Sequence, residues 1–191
     1  EQGHLSRFQP MFVSMWNPSF APRLCNIFIP ILAQTDKRFH RWMQENESVS
    51  FLFRKYASVC YKTLRDRIGA NVKFLGVVKA DAYGHGSVQV SRLLQELGAD
   101  YLAVSSIDEA IELRLNDITM PILILGHTPK EQVSRLIEYN ITQAVTCKAK
   151  ALEYSEEAVK CGGTLKIHIK VDTGMSRLGY LCDGDYFDTG V

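Results

Sequence analysis

Lysine closes the apolar run Lys73-Phe-Leu-Gly-Val-Val-Lys79 and opens the octapeptide Lys79-Ala-Asp-Ala-Tyr-Gly-His-Gly86. Side chains along a strand alternate faces, so Leu75, Val77 and Lys79 share one face and Phe74 and Val78 the other. A lysine amine held out of water sheds its proton more readily and can attack a carbonyl carbon to form an imine. An aldehyde cofactor or a ketone substrate would each suit it. An isolated lysine at a strand end is ordinarily an exposed charge; the turn that this one opens sets it apart.

A second polar row lies near the other end of the regular sequence. In Leu165–Val171, read as a strand, Ile167, Ile169 and Val171 share one face, and His168, Lys170 and Asp172 fall on the opposite one. A parallel sheet buries both faces, so this row is expected to point into a polar interior. The C-terminal ends of the strands, where parallel α/β folds carry their chemistry, are the expected place for a site.

Short β runs alternate with helical patterns of about ten residues, which predicts a parallel sheet with crossover helices. A helix at Leu52–Ile68 stops at Gly69, before the strand at Lys73–Lys79. Helix Ser87–Leu97 stops at Gly98, before strand Tyr101–Val104. Helix Asp108–Leu115, strand Pro121–Leu125, helix Lys130–Tyr139, strand Thr142–Val145 and helix Ala149–Lys160 follow, and Leu165–Val171 is the fifth strand. Rhythm alone does not choose between an open doubly wound sheet and a closed barrel.

Residues 1–48 differ from the rest. They hold four of the six prolines and both tryptophans without sustained periodicity, and are expected to form an irregular extension. The 22 basic side chains face 21 acidic ones, a net charge of +1, which excludes a nucleic-acid binder driven by bulk charge and an acidic disordered tail. Five cysteines without a CxxC pair argue against a zinc ribbon or a disulfide framework, and no metal site is expected; reduced thiols in a cytoplasmic protein are the simpler reading. The apolar stretch Leu24–Ala33 is too short to span a bilayer, and Glu1–Leu5 is not the start of a secretory signal.

The octapeptide Lys79–Gly86 resembles the pyridoxal 5'-phosphate (PLP) signature of alanine racemases. Lys170-Val-Asp-Thr-Gly-Met-Ser-Arg-Leu-Gly179 is similar to that family's other N-terminal-domain signature. Two long motifs in the right order, with Pro121-Ile-Leu-Ile-Leu-Gly126 between them, are far more specific than a lone glycine motif. The resemblance covers about residues 52 to 181. It implies a (β/α)8 TIM-type barrel, here partial with about five βα units, followed in the family by a β-rich C-terminal domain and working as a homodimer. The implied activity is interconversion of L- and D-alanine, supplying D-alanine for bacterial peptidoglycan.

Residue by residue, the resemblance makes Lys79 the lysine that binds the PLP aldehyde and later acts as one of two bases at the substrate α-carbon. Tyr83 matches the tyrosine that hydrogen-bonds the cofactor phosphate. Arg177 matches the arginine that contacts the cofactor's phenolic oxygen and the substrate carboxylate, a task suited to a planar fork of donors. Lys170 matches a lysine, often carbamylated in the family, that holds this arginine in place. Leu125 matches an apolar residue against the cofactor ring. Asp81 and His85 read as turn-shaping residues, and His127 and His168 as satisfied histidines.

Glu47-Ser-Val-Ser-Phe-Leu-Phe53 departs from the family's usual opening text, and residues 1–48 match nothing in it. The second base, a tyrosine from the partner's C-terminal domain, and the arginine facing the pyridine nitrogen have no counterpart. The expectation is therefore an incomplete, catalytically deficient portion of a racemase, with residues 49–191 as its barrel domain. Competing readings are a racemase for serine or for many amino acids, a non-enzymatic PLP-binding barrel, and a lyase barrel with a Schiff-base lysine. The partners implied are a small amino acid and a second subunit, with neither nucleic acid nor membrane.

Overall fold

The structure, a computed structural model, describes residues 47–181, with side chains from residue 53 onward. The expectation for residues 1–46 lies outside the described residues. The chain divides into two compact units, residues 1–70 and 71–191.

Within the first unit, helix α1 spans Glu47–Ile68, five residues longer at its start than the expected Leu52–Ile68. An acidic residue suits a first turn, where the helix dipole is positive. The Arg65 guanidinium lies 5.8 Å from the Tyr61 ring centroid and 3.3 Å from its hydroxyl, one turn earlier. Gly69 ends the helix at φ +78°, its N–H donating to the Arg65 carbonyl, a conformation that glycine adopts without a steric penalty. Cys60 is disulfide-bonded, so the expectation of reduced thiols fails there, whereas Cys147 and Cys161 are free and exposed.

The second unit is built on five parallel strands: β1 (Leu75–Val77), β2 (Tyr101–Val104), β3 (Ile122–Ile124), β4 (Thr142–Val145) and β5 (Ile167–Ile169). Their spatial order is their sequence order, β1-β2-β3-β4-β5. A doubly wound sheet reverses its strand order at a switch point; an unreversed run of crossovers is the wall of a barrel. Between the strands lie α2 (Ser87–Glu96), α3 (Ile107–Leu115), a 3-10 turn (Lys130–Gln132) leading into α4 (Val133–Glu138), and α5 (Lys148–Lys160). Ser106 explains the start of α3, since its hydroxyl accepts the Glu109 N–H at 3.4 Å.

The helices pack on one face of the sheet. Leu102, Val104, Ile122 and Ile124 meet Ala110, Ile111, Leu113 and Leu136 in a single cluster. Each fully buried aliphatic side chain contributes about 1.5–3 kcal/mol. The opposite face carries Tyr101, Leu123, Thr142 and Ala144, with Leu75 and Val77 about 40% exposed at its β1 edge. This one-sided cover is again a barrel's, with helices outside and the other face turned inward.

Two expectations about the fifth strand are corrected. β5 is exposed along its length rather than buried on both faces, because among the described strands it pairs with β4 alone and no described helix follows to cover it. Nor does the His168-Lys170-Asp172 row point into a buried interior: His168 is exposed and Lys170 and Asp172 are half-buried. The ladder continues to Lys170, whose N–H donates to the Val145 carbonyl at 2.8 Å. Val171–Asp172 (β6) then leaves to pair in parallel with Tyr180–Leu181 (β7) in a separate two-stranded sheet.

Candidate functional site

Three of the residues singled out from the sequence stand just beyond the C-terminal ends of strands: Lys79 after β1, Leu125 after β3 and Lys170 after β5. Lys79 opens a helical turn, Lys79–Gly84, whose inner residues are left-handed. Ala80, Asp81, Ala82 and Tyr83 all have φ between +51° and +56°. Left-handed backbone costs a non-glycine residue about 1–2 kcal/mol, so the four store about 4–8 kcal/mol. The expectation of an ordinary strand-to-helix turn missed this.

The turn is held by hydrogen bonds at both ends. Ala82 N–H donates to the Val78 carbonyl at 2.9 Å, and Gly86 N–H to the Asp81 carbonyl at 3.0 Å. The Asp81 carboxylate accepts the Ser87 N–H at 2.7 Å and so serves the first turn of α2. His85 Nδ1 lies 2.9 Å from the Ala82 carbonyl. A helix of either hand brings residues four apart onto one side, and the Lys79 Nζ accordingly sits 6.0 Å from the Tyr83 ring centroid. Lys79 is half-buried and Tyr83 is 45% exposed.

A second residue reaches this turn from a distance. The Glu109 carboxylate accepts the Ala80 N–H on one oxygen at 2.8 Å and the Ser105 N–H on the other at 2.7 Å. Sequence reading missed Glu109, although Ser106 and Glu109 have the spacing of a capping box.

Arg177 lies in the loop between β6 and β7, and the loop is organised by Asp172. The Asp172 carboxylate accepts the N–H groups of Gly174, Ser176 and Arg177, each at 3.0 Å. These donors, Gly174 and Ser176 foremost, hold its pKa below the usual carboxylate range. Asp172 thus shapes the arginine's loop. Lys170 is half-buried and Arg177 exposed. His168 faces the Tyr101 ring at 5.5 Å between centroids.

Leu125 and Leu178 line one small cavity of about 40 Å³ with His127, Ala144, Thr146, Lys150 and Tyr154. Tyr154 is buried, and its hydroxyl donates to the Thr128 carbonyl at 2.7 Å and lies 3.3 Å from His127 Nδ1. The network continues through Thr128 Oγ1 to Gln143 Oε1 at 2.6 Å, and from Gln143 Nε2 to the Gly126 carbonyl at 2.7 Å. A glutamine inside a short strand expected to be buried on both faces was a signal available in the sequence. Among the described residues, no group of three or more His, Cys, Asp or Glu side chains is placed to hold a metal ion. No described helix is long and apolar enough to cross a membrane.

The donor set fits PLP: a primary amine for an aldehyde, a phenol beside it for a phosphate, an apolar side chain for a ring, and a guanidinium for anionic oxygens.

Comparison with known proteins shows the family. The family "Alanine racemase, N-terminal domain" matches residues 60–187. Alanine racemase 2 of Caldanaerobacter subterraneus subsp. tengcongensis is 45% identical over 120 residues, covering 63% of this chain and 31% of that protein. The chain thus spans about a third of the length of the curated relatives it matches. Among solved structures, alanine racemase of Clostridium difficile 630 superposes with a TM-score of 0.64 at 40% identity, over 68% of this chain and 34% of that one. Histidine racemase from Leuconostoc mesenteroides subsp. sake does so with a TM-score of 0.61 at 30% identity, over 66% and 34%. The sheet is accordingly part of a TIM-type barrel, and the chain belongs to the alanine racemase N-terminal domain family.

Proposed function

We propose that this chain supplies a cofactor-binding part of a PLP-dependent alanine racemase, with Lys79 as cofactor-binding and catalytic residue. The observation that carries the reading is the left-handed turn, which sets the Lys79 amine 6.0 Å from the Tyr83 ring at the end of β1. PLP, when bound, supplies the electron sink that makes an α-proton removable.

Each residue has a part that its chemistry suits. Lys79 binds the cofactor's aldehyde carbon, and its amine takes or returns the α-proton on one face of the substrate. The Tyr83 hydroxyl donates to the phosphate. Leu125 shields the ring from water. Arg177 grips the substrate carboxylate and the cofactor's phenolic oxygen with two parallel donors, and Lys170, carbamylated, holds Arg177 in place. Inversion also requires a second acid/base on the opposite face of the α-carbon, which a partner subunit of a homodimer supplies in this reading. A cytoplasmic place and a role in peptidoglycan supply belong to the same proposal, as does the division into an extension at 1–48 and a barrel domain at 49–191.

A second reading keeps the chemistry and changes the substrate. Histidine racemase has a similar structure at 30% identity, so a different amino acid is compatible with the same scaffold. Incubating the chain with PLP, reducing with borohydride and mapping the adduct tests the cofactor assignment. One cofactor mass on the peptide containing Lys79 supports it; labelling confined to other lysines sinks it. Exchange of the α-proton in deuterated water, followed for alanine, serine and histidine, ranks the substrates.

A further inference from the structure

We infer that Glu109 is a positioning residue for Lys79, its carboxylate fixing the backbone from which the Lys79 amine is aimed. The inference rests on the reading of Lys79 as the cofactor lysine, and goes beyond it by assigning a task to a residue on another element.

In a capping box, the glutamate at the third helical position reaches back to the N–H of the capping residue. Glu109 occupies that position in α3, behind Ser106. It does something else. One oxygen accepts the N–H of Ser105, the residue preceding the cap, at 2.7 Å. The other crosses to the neighbouring βα unit and accepts the N–H of Ala80 at 2.8 Å, 29 positions away. Ala80 directly follows Lys79 and is the first of the four left-handed residues. A carboxylate only accepts, so two convergent amide donors satisfy it, and charge makes such bonds the stronger kind.

The contact falls where the chain has most freedom to go wrong. A non-glycine residue strongly prefers right-handed backbone. If Ala80 relaxes to it, the Lys79 carbonyl turns and Tyr83 leaves the lysine's side. The Ala80 N–H precedes the first internal bond of the turn, from Ala82 N–H to Val78, and therefore needs a partner outside the turn. Glu109 supplies it, and through Ser105 ties the end of β1 to the end of β2.

The test compares Glu109→Ala with Ser106→Ala in this chain. Both weaken the start of α3, but only the first removes the contact to Ala80. Exchange of the Ala80 amide, followed by NMR without cofactor, should quicken at least tenfold in Glu109→Ala and stay within about twofold in Ser106→Ala. Borohydride trapping of PLP at Lys79 should slow at least tenfold in Glu109→Ala, with trapping at the exposed Lys148 unchanged. Equal slowing by Ser106→Ala would reduce Glu109 to a helix cap and overturn the inference, as would wild-type exchange and trapping in Glu109→Ala. If that variant fails to fold, Glu109→Gln carries the test. It keeps the shape and one carbonyl acceptor, so partial loss of both readouts supports the inference and wild-type values overturn it. Absence of any trapping at Lys79 in the wild-type chain would defeat the cofactor assignment, while the Ala80 exchange still decides what Glu109 does.

Discussion

The Thr128 hydroxyl donates to the side-chain oxygen of Gln143 across 2.6 Å, and both residues are almost wholly buried. Gln143 stands on β4, whereas Thr128 belongs to the loop after β3, so the bond joins one strand to the loop that begins at Leu125. The Gln143 amide also donates to the carbonyls of Gly126 and Ala144, at 2.7 and 2.8 Å. Every polar atom of this buried side chain is used.

Replacing Gln143 with leucine keeps the bulk and strands the Thr128 hydroxyl and the Gly126 carbonyl. An unpaired buried polar group costs about 1–3 kcal/mol, so with two of them the variant should lose about 2–6 kcal/mol in chemical denaturation. A loss under about 0.5 kcal/mol would show that the loop is held by other means.

Tyr154 anchors the same loop from α5. Tyr154→Phe removes the 2.7 Å bond to the Thr128 carbonyl and should cost about 1–2 kcal/mol at neutral pH. Burial pushes the phenol's pKa above its ordinary value. Below about pH 10 both folded and unfolded chains keep this proton. Above it the unfolded chain ionises first, so stability falls as pH rises toward the folded-state value. The variant should flatten that alkaline decline, measured as the denaturant midpoint between pH 9 and 11. An unchanged slope would mean that another group, such as Tyr180 with its similarly raised pKa, sets it.

Asp172 gives the opposite sign. Its three backbone donors lower the folded-state pKa, so its contribution is complete above the unfolded value, about 3.9, and is lost as pH falls through the folded value. The loop from Asp172 to Arg177 should therefore keep its order, read from the amide shifts of Gly174 and Ser176, down through the range where ordinary aspartates titrate. Asp172→Asn keeps one acceptor and loses the charge. Those shifts should then move at neutral pH and no longer respond to acid.

The elements were legible because each had a local cause. Strands Tyr101–Val104 and Thr142–Val145 were readable as short β runs between helical periods, and their bounds match the structure. The motif around Lys79 could be read for its chemistry but not for its backbone, since Ala80, Ala82 and Tyr83 disfavour left-handed φ and a single aspartate does not impose a run of four. That conformation comes from Val78, Glu109 and Ser87, which lie outside the four residues that adopt it. The His168-Lys170-Asp172 row failed for a different reason. Its burial depended on cover over both faces of the strand, and nothing local to Leu165–Val171 says that the strand is left exposed. Tertiary partners decided both cases.

The left-handed turn yields the final prediction. Ala80 sits at φ +52° and ψ +52° with its methyl exposed. Glycine in its place escapes a penalty of about 1–2 kcal/mol. It adds about 0.5–1 kcal/mol of backbone entropy to the unfolded chain, which opposes the gain. The N–H bonded to Glu109 is untouched. Ala80→Gly should therefore raise stability by about 0.5–1 kcal/mol net. Ala82 has nearly the same dihedral angles, φ +51° and ψ +45°, but is 6% exposed and belongs to the main apolar cluster. Losing its buried methyl costs about 0.8 kcal/mol or more, which cancels the relief. Ala82→Gly should thus be neutral or slightly destabilising. Denaturant midpoints of the two variants, compared with the parent chain, separate strain from burial at neighbouring positions. A destabilising Ala80→Gly would mean that the left-handed turn is not strained, and that its conformation is the relaxed state of this stretch.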